Sequence, residues 1–328
     1  MSILFTSLQV KNMDLANRIV FPPMANNLAD ENGQVTPRLI EHYAARAARV
    51  GLIIVEHSYI DRKGRITDNQ LGIYTDSCVE GLSRLAAEMH RAGTKCGIQL
   101  THAGSSAKAE MIGGQPFAPS TVSHPRDGGM PREITRAEML ELTEQFVLAA
   151  RRAKQAGFDM VEIHGAHGYL LSQFISPYTN RRQDSYGGSL QNRLSFPLEV
   201  VKAVREEVGR DYPLFFRLGA DDGLEGGLNL DEGSAAAVML ADSGVDVLDL
   251  SGGLMGFRTK SGEAFFLYMA EKIKPMVNIP VLVTGGIAST EAAERILAAG
   301  KADLIGIGRA LLTNPAWAVE AARSEGGY

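Results

Sequence analysis

Along the chain, short runs of apolar and β-branched residues alternate with longer segments whose apolar positions recur three and four apart. The short runs predict strands at residues 19–24, 52–58, 96–100, 160–164, 214–218, 247–251, 281–284 and 304–307. The longer segments predict helices at 37–50, 80–92, 136–156, 190–208, 231–243, 264–277, 290–299 and 315–323. Thr135 followed by Glu138 reads as a capping box, Gly157 and Gly244 as helix stops, and Ser289 as a helix start. Near-continuous apolar strands, each followed by a helix, imply a parallel sheet covered on both faces. Eight such units predict an α/β fold, a closed (β/α)8 TIM barrel, in preference to an open doubly wound sheet. The extra length falls in long loops after strands 1, 3 and 4, at residues 21–36, 101–132 and 175–188. No linker, low-complexity tract or charge run interrupts the pattern, so a single domain over residues 1–328 is expected.

Composition then removes whole classes of function. A net charge of −5 lacks the basic excess of a nucleic-acid binder. No apolar run approaches the length needed to cross a bilayer, and the N-terminus has neither a secretory nor an Arg-rich transit pattern. Cys78 and Cys96 are the two cysteines, with no CxxC and no metal-type spacing. The expectation is plain packing for both thiols, no metal, no membrane partner and a cytoplasmic setting.

Candidate chemistry concentrates at residues 160–169, MVEIHGAHGY. A β-prone run ends there in Gly165 and Gly168, gathering His164, His167 and Tyr169 at the mouth of a buried strand, where barrels place their active sites. One histidine alone would more often be a hydrogen-bonded core residue. Glu56, His57, Gln99, His102 and Arg217 also stand near strand ends. Arg217 interrupts an apolar run, so its guanidinium must be paired or must hold an anion. The last two strands end in Gly285-Gly286 and in Gly308-Arg309. Loops after barrel strands 7 and 8 commonly cradle a phosphate on side-chain-free backbone, which Arg309 would complement. Gly252 and Gly253, after Ser251, would widen the same cavity. These residues alone leave open a flavin-free phosphate-binding barrel enzyme, such as an aldolase or isomerase. No strand-end lysine and no compelling third metal ligand favours that alternative.

Several stretches together resemble the Old Yellow Enzyme family of FMN-dependent ene-reductases, in its shorter, thermophilic-like bacterial branch. They include GIQL at 97–100, HAG at 102–104, FAPS at 117–120, EIHGAHGY at 162–169, DSYGGS at 184–189 with Asn192-Arg193, and ADLIGIGR at 302–309. The resemblance implies an NADH- or NADPH-dependent flavin oxidoreductase that passes hydride from FMN to the β-carbon of an activated alkene. By that resemblance His164 and His167 bind the substrate's carbonyl oxygen and Tyr169 donates the proton. Gln99 and Arg217 meet the flavin's pyrimidine edge, Pro22, Pro23, Met24 and Ala25 its ring, and Gly286, Gly308 and Arg309 its phosphate. Where the branch usually has a cysteine, a tyrosine and a small residue, this chain has Ala25, Asn27 and His57. His57 therefore becomes a possible extra donor to the ring, and Asn27 a substrate contact without a phenol. The family's Arg-Lys pair is replaced by Ser105-Ser106. Family habit implies a homodimer or homotetramer, although the arginine that some members lend a neighbour is not evident in the ending 323–328. A flavin-binding module with little turnover, or with another electron acceptor, is the second reading.

Overall fold

The computed structural model describes residues 2–126, 129–257 and 260–324. Eight strands close into a barrel: β1 (Ile19–Phe21), β2 (Leu52–Tyr59), β3 (Lys95–Thr101), β4 (Met160–Gly165), β5 (Leu214–Gly219), β6 (Val247–Ser251), β7 (Val281–Val283) and β8 (Leu304–Gly306). Every neighbouring pair is parallel, and β8 pairs with β1 to complete the ring. The predicted (β/α)8 TIM barrel is thus the observed fold.

Two apolar layers hold it. The larger core lies between barrel and helices; a smaller one fills the barrel interior with Val20, Leu52, Ile54, Met160, Phe215, Val247, Leu282 and Leu304. Gly97 belongs to that inner layer for a steric reason. A Cβ there would lie 1.6 Å from Met160 Sδ, so the methionine occupies the space that β3 leaves vacant. An N-terminal hairpin, Leu8–Val10 paired with Met13–Leu15, presses Val10, Met13 and Leu15 onto the same cluster and closes the barrel floor. At that end three aspartates just before strands bridge to the neighbouring strand. Asp159 accepts from Cys96 N, Asp246 from Leu214 N and Asp303 from Val281 N, at 2.7–2.9 Å.

The predicted caps form as expected. Thr135 and Glu138 make the reciprocal capping box of Arg136–Gln155, and Ser289 accepts from Ala292 N at the start of Thr290–Ala298. Gly157 and Gly244 follow their helices at positive φ. Three elements depart from the sequence pattern by three residues or more, the others by two at most. The first strand stops at Phe21 rather than residue 24, because Pro22 and Pro23 have no N–H to give the ladder. The helix expected from 264 begins at Leu267, since Ala264 takes a left-handed φ of 52°, and ends in a 3-10 turn at Lys274–Met276, which contains Pro275. The first helix, Pro37–Ala47, ends three residues before residue 50.

The long loops are themselves braced. Buried Arg182 donates to Pro119 O and Ile134 O and pairs with Asp184, joining the loop after β4 to that after β3. Asn192 donates to Gly187 O, and Arg193 to Ile175 O and Gly188 O. The DSYGGS…NR stretch is therefore a hydrogen-bonded clamp beneath the open end of the barrel.

Candidate active site

At the open end of β2 the ladder shifts register between Val55 and Ser58, leaving Glu56 and His57 in a bulge. The Tyr43 hydroxyl accepts from Glu56 N in place of a strand partner. The bulge brings the His57 ring to 5.6 Å from that of Tyr169. Buried Gln70 then fixes which nitrogen of His57 carries hydrogen. Gln70 Oε1 accepts from Ile66 N at 2.8 Å, so its Nε2 faces His57, donating to His57 O at 2.9 Å and lying 2.7 Å from Nδ1. Nδ1 must accept, and the neutral ring therefore carries its hydrogen on Nε2. Burial, and then the Arg217 charge, lower the His57 pKa to about 4.

His164, His167 and Tyr169 come together as the sequence suggests. The two imidazoles stand 5.1 Å apart at 88°, and Tyr169 lies 5.1 Å from His164 at 82°. His167 holds a left-handed φ of 58°, its N–H donates to Gly252 O, and its Nε2 lies 2.7 Å from Ser251 Oγ. Both histidines have pKa values well below the ordinary imidazole range. Burial is the main cause, followed by the partner histidine and Arg217 for His164, and by Arg217 and Arg126 for His167. Each is a neutral hydrogen-bonding group, and His164 Nδ1 is buried without a partner. Gln173 fixes the backbone around them, donating to Gly168 O and Ala103 O and accepting from Ser105 N.

One layer below, Gln99 donates to Glu162 Oε1 at 2.8 Å and Arg217 Nε lies 3.1 Å from Asp249 Oδ2. Glu162 and Asp249 were not apparent as site residues from sequence. Their signal was the alternation itself: Glu162 and His164, or Asp249 and Ser251, share the inward face of strands whose other positions are apolar. Gln70 lies in a loop and gave no such signal.

Beside this layer opens a cavity of about 590 Å³. Pro22, Pro23 and Met24 form one wall; Arg217, Ser251 and His167 line it toward the barrel axis; Gly285, Gly286, Gly308 and Arg309 line its far end. Glycine is sterically required at Gly286 and leaves only a close fit at Gly308. Gly286 has φ 78° and an added Cβ would lie 2.1 Å from Gly262 O, while at Gly308 it would lie 3.2 Å from Met24 Sδ. Gly252 and Gly253 lie just outside the lining. An added Cβ would meet Gly256 O or Asp222 Oδ1 at 2.1 Å, so both are packed within the loop that roofs the cavity. Gln99 and His164 are buried beneath, while Ala25 is exposed. Asn27, also exposed, has a φ of 56° and its Oδ1 accepts from Thr67.

Tyr169 faces a second cavity of about 830 Å³ whose walls include Ser105, Ser106, Lys108 and Arg126. The side chains that replace the expected Arg-Lys pair thus line the approach to Tyr169. Among the described residues, His90, Cys96 and Asp159 approach metal-ligand spacing at the barrel floor. There Asp159 already receives Cys96 N, Lys95 and His90, and the Cys96 thiol is pushed up by burial and by Asp159. This cluster reads as a strand-start lock. No helix among the described residues is long and apolar enough to cross a membrane. The C-terminal residues 325–328, where an arginine for a neighbouring subunit was sought, lie outside the described residues.

Comparison with known proteins places these features in context. The model of the NADH:flavin oxidoreductase / NADH oxidase family matches residues 3–325. The chain is 45% identical over 323 residues to an NADH oxidase of Thermoanaerobacter brockii, covering 96% of this chain and 50% of that enzyme, so it spans half the length of that relative. It is 41% identical to an NADPH dehydrogenase of Bacillus subtilis, covering 98% of this chain and 94% of that one. Among solved structures, the old yellow enzyme homologue from Zymomonas mobilis superposes with a TM-score of 0.88 at 28% identity, covering 99% of this chain and 93% of that one.

Proposed function

The chain belongs to the NADH:flavin oxidoreductase / NADH oxidase family, the FMN-dependent, NAD(P)H-oxidising family of the old yellow enzymes, and on that premise we propose that its barrel reduces activated carbon–carbon double bonds. The residues present fit FMN. A glycine cradle with Arg309 offers an anion site at one end of the cavity, and Met24 with Pro22 and Pro23 an apolar wall. Arg217 offers donors at the other end, with Gln99 buried beneath it; Arg217 Nε lies beside Asp249 but makes no hydrogen bond. When bound, FMN supplies hydride transfer, accepting it from NADH or NADPH and delivering it to the second substrate.

The protein's own contribution is to bind and to move a proton. His164 and His167, held neutral by burial, each offer an N–H to the electron-withdrawing oxygen of an α,β-unsaturated carbonyl compound. Donors placed where negative charge develops on that oxygen lower the barrier to hydride addition. Tyr169, edge-on to His164, is the proton donor to the carbon between that group and the hydride-accepting carbon. Ser251 orients His167, and Gln173 holds the loop that carries His167 and Tyr169. His57 stands against the Tyr169 ring, and Asn27 is tied to Thr67 on the wall of the cavity that Tyr169 faces.

The observation that carries this reading is the neutral His164–His167 pair beside Tyr169, with His167 lining a cavity whose far end is a glycine cradle and Tyr169 facing the cavity next to it. Tyr169→Phe tests it directly. Reduction by NAD(P)H should proceed at the wild-type rate while reoxidation by 2-cyclohexenone slows by roughly 10²-fold or more, the usual contribution of a positioned general acid. Equal slowing of both halves, or of neither, would remove Tyr169 from the proposed role.

A further inference from the structure

Beneath the histidine pair, four polar side chains cross the barrel interior, one from each of the consecutive strands β3 to β6: Gln99, Glu162, Arg217 and Asp249. Glu162 and Asp249 are 0% exposed and Gln99 1%, while Arg217, at 5%, also reaches the cavity beside the layer. The layer holds two carboxyl groups, one amide and a single cation. Gln99 serves Glu162 Oε1 at 2.8 Å. Arg217 Nε approaches Asp249 Oδ2 at 3.1 Å but off the line of a hydrogen bond. Glu162 Oε2, both Asp249 oxygens and Arg217 Nε are left without a partner, although Glu162 and Asp249 lie within hydrogen-bonding reach of each other.

If both carboxyls were ionised, acceptor would face acceptor, and two negative charges would oppose one positive charge in a medium that tolerates neither surplus nor mismatch. One proton corrects both faults. It supplies the missing donor between the carboxyls and brings the layer to neutrality. We propose that Glu162 and Asp249 share a single proton in the folded protein, so that one carboxylate balances Arg217 and the layer under the cofactor ring carries no net charge. They are positioning residues, acting on the ring through Arg217; that part rests on the reading that Arg217 faces FMN.

The surroundings agree. Burial raises both groups; for Glu162 the neighbouring Asp249 charge adds to the rise, while Arg217 opposes it in both. His57, His164 and His167 also interact with the Arg217 charge, and all three are held neutral. Glu56, the remaining carboxyl on β2 near this end, turns instead to Asn26 N. Arg217 is therefore the cation that the pair must answer.

The charge count makes a distinctive prediction. Glu162→Gln and Asp249→Asn each leave one carboxyl, which ionises against Arg217, so each single variant keeps the wild-type charge. Glu56 and Asp222, at about 7 and about 6, would contribute the same band near neutrality, so the spectrum is taken at pH 8 in a Glu56→Gln background. There the FMN-free protein should show a protonated-carboxyl stretch that Glu162→Gln and Asp249→Asn each remove. A spectrum lacking this band before either change, or its persistence after both, overturns the proposal. In the FMN-loaded protein the midpoint potential should stay near wild type in either single variant. It should rise in the double variant, where the reduced-to-oxidised ratio gains at least tenfold, about 30 mV for a two-electron couple. Additive rises from the two single variants would mean two full charges in the wild type, and would overturn the shared proton. If the infrared result holds but the double variant leaves the potential unchanged, the shared proton stands and the placement of Arg217 at the ring falls. The near-isosteric single variants decide the question even if the double variant does not fold.

Discussion

Changing Gln70 to glutamate should reverse the hydrogen-bonding edge that His57 presents. Gln70 is 1% exposed, and its amide orientation is dictated by Ile66 N, which can only donate. The opposite end therefore donates to His57 Nδ1 and His57 O, at 2.7 and 2.9 Å. A glutamate keeps the acceptor for Ile66 N but has no hydrogen for Nδ1. Its second oxygen is satisfied only if the ring moves its hydrogen to Nδ1, leaving Nε2 as an acceptor. The new carboxylate should also raise the His57 pKa from about 4 by roughly 1–3 units, as an opposite charge in contact does. His57 O then faces an oxygen instead of a donor, a stranded buried acceptor that costs about 1–3 kcal/mol. For a chain of this size that corresponds to a melting point lower by roughly 1–5 °C. Nitrogen-15 NMR of the His57 ring reads the tautomer without interference from the fold, and a thermal melt reads the cost. A wild-type ring protonated on Nδ1, or a Gln70→Glu protein with the wild-type tautomer, would refute this account of how Gln70 sets His57.

Two further substitutions follow from the same geometry. Glu56 is fully buried and its carboxyl is raised to about 7, chiefly by burial. A raised carboxyl contributes stability while protonated and loses it as pH climbs from its unfolded value near 4.5 through about 7. Glu56→Gln should therefore gain stability over wild type across that window, reaching on the order of 3 kcal/mol above pH 8, and parallel melts from pH 5 to 8 would show a constant gap if the reasoning fails. Gly286→Ala places a Cβ 2.1 Å from Gly262 O at a φ of 78°, so the cradle must open. FMN affinity should drop at least about tenfold, the equivalent of about 1.4 kcal/mol of strain and displaced contacts, and a fluorescence titration giving the wild-type affinity would remove Gly286 from the phosphate site.

Much of the fold was legible because barrel strands are buried on both faces and their helices carry explicit caps. Thr135 with Glu138, Ser289, Gly157 and Gly244 all mark boundaries by local chemistry that tertiary contacts did not override. The hairpin at Leu8–Val10 and Met13–Leu15 was not legible. Its strands are three residues long, and its turn places Lys11, rather than glycine or asparagine, at a φ of 53°. The site divides similarly. His164, His167 and Tyr169 are close in sequence, so one loop brings them together. Glu162, Asp249 and Gln70 gain meaning only from partners far away in the chain, such as Arg217 and His57. Arg217 invited an ion pair or an anion; it has Asp249 beside it, and the cavity opens past it as well.

The central claim is that this barrel passes reducing equivalents from a nicotinamide to an activated alkene through FMN at the Tyr169 end. An anaerobic spectral titration tests it most directly: the FMN-loaded protein is bleached with NADH or NADPH, then mixed with 2-cyclohexenone. The account predicts loss of the oxidised flavin bands in the first step and their full return in the second. Bleaching without return on adding enone would contradict the proposed substrate class, and a protein that takes up no FMN would contradict the site itself.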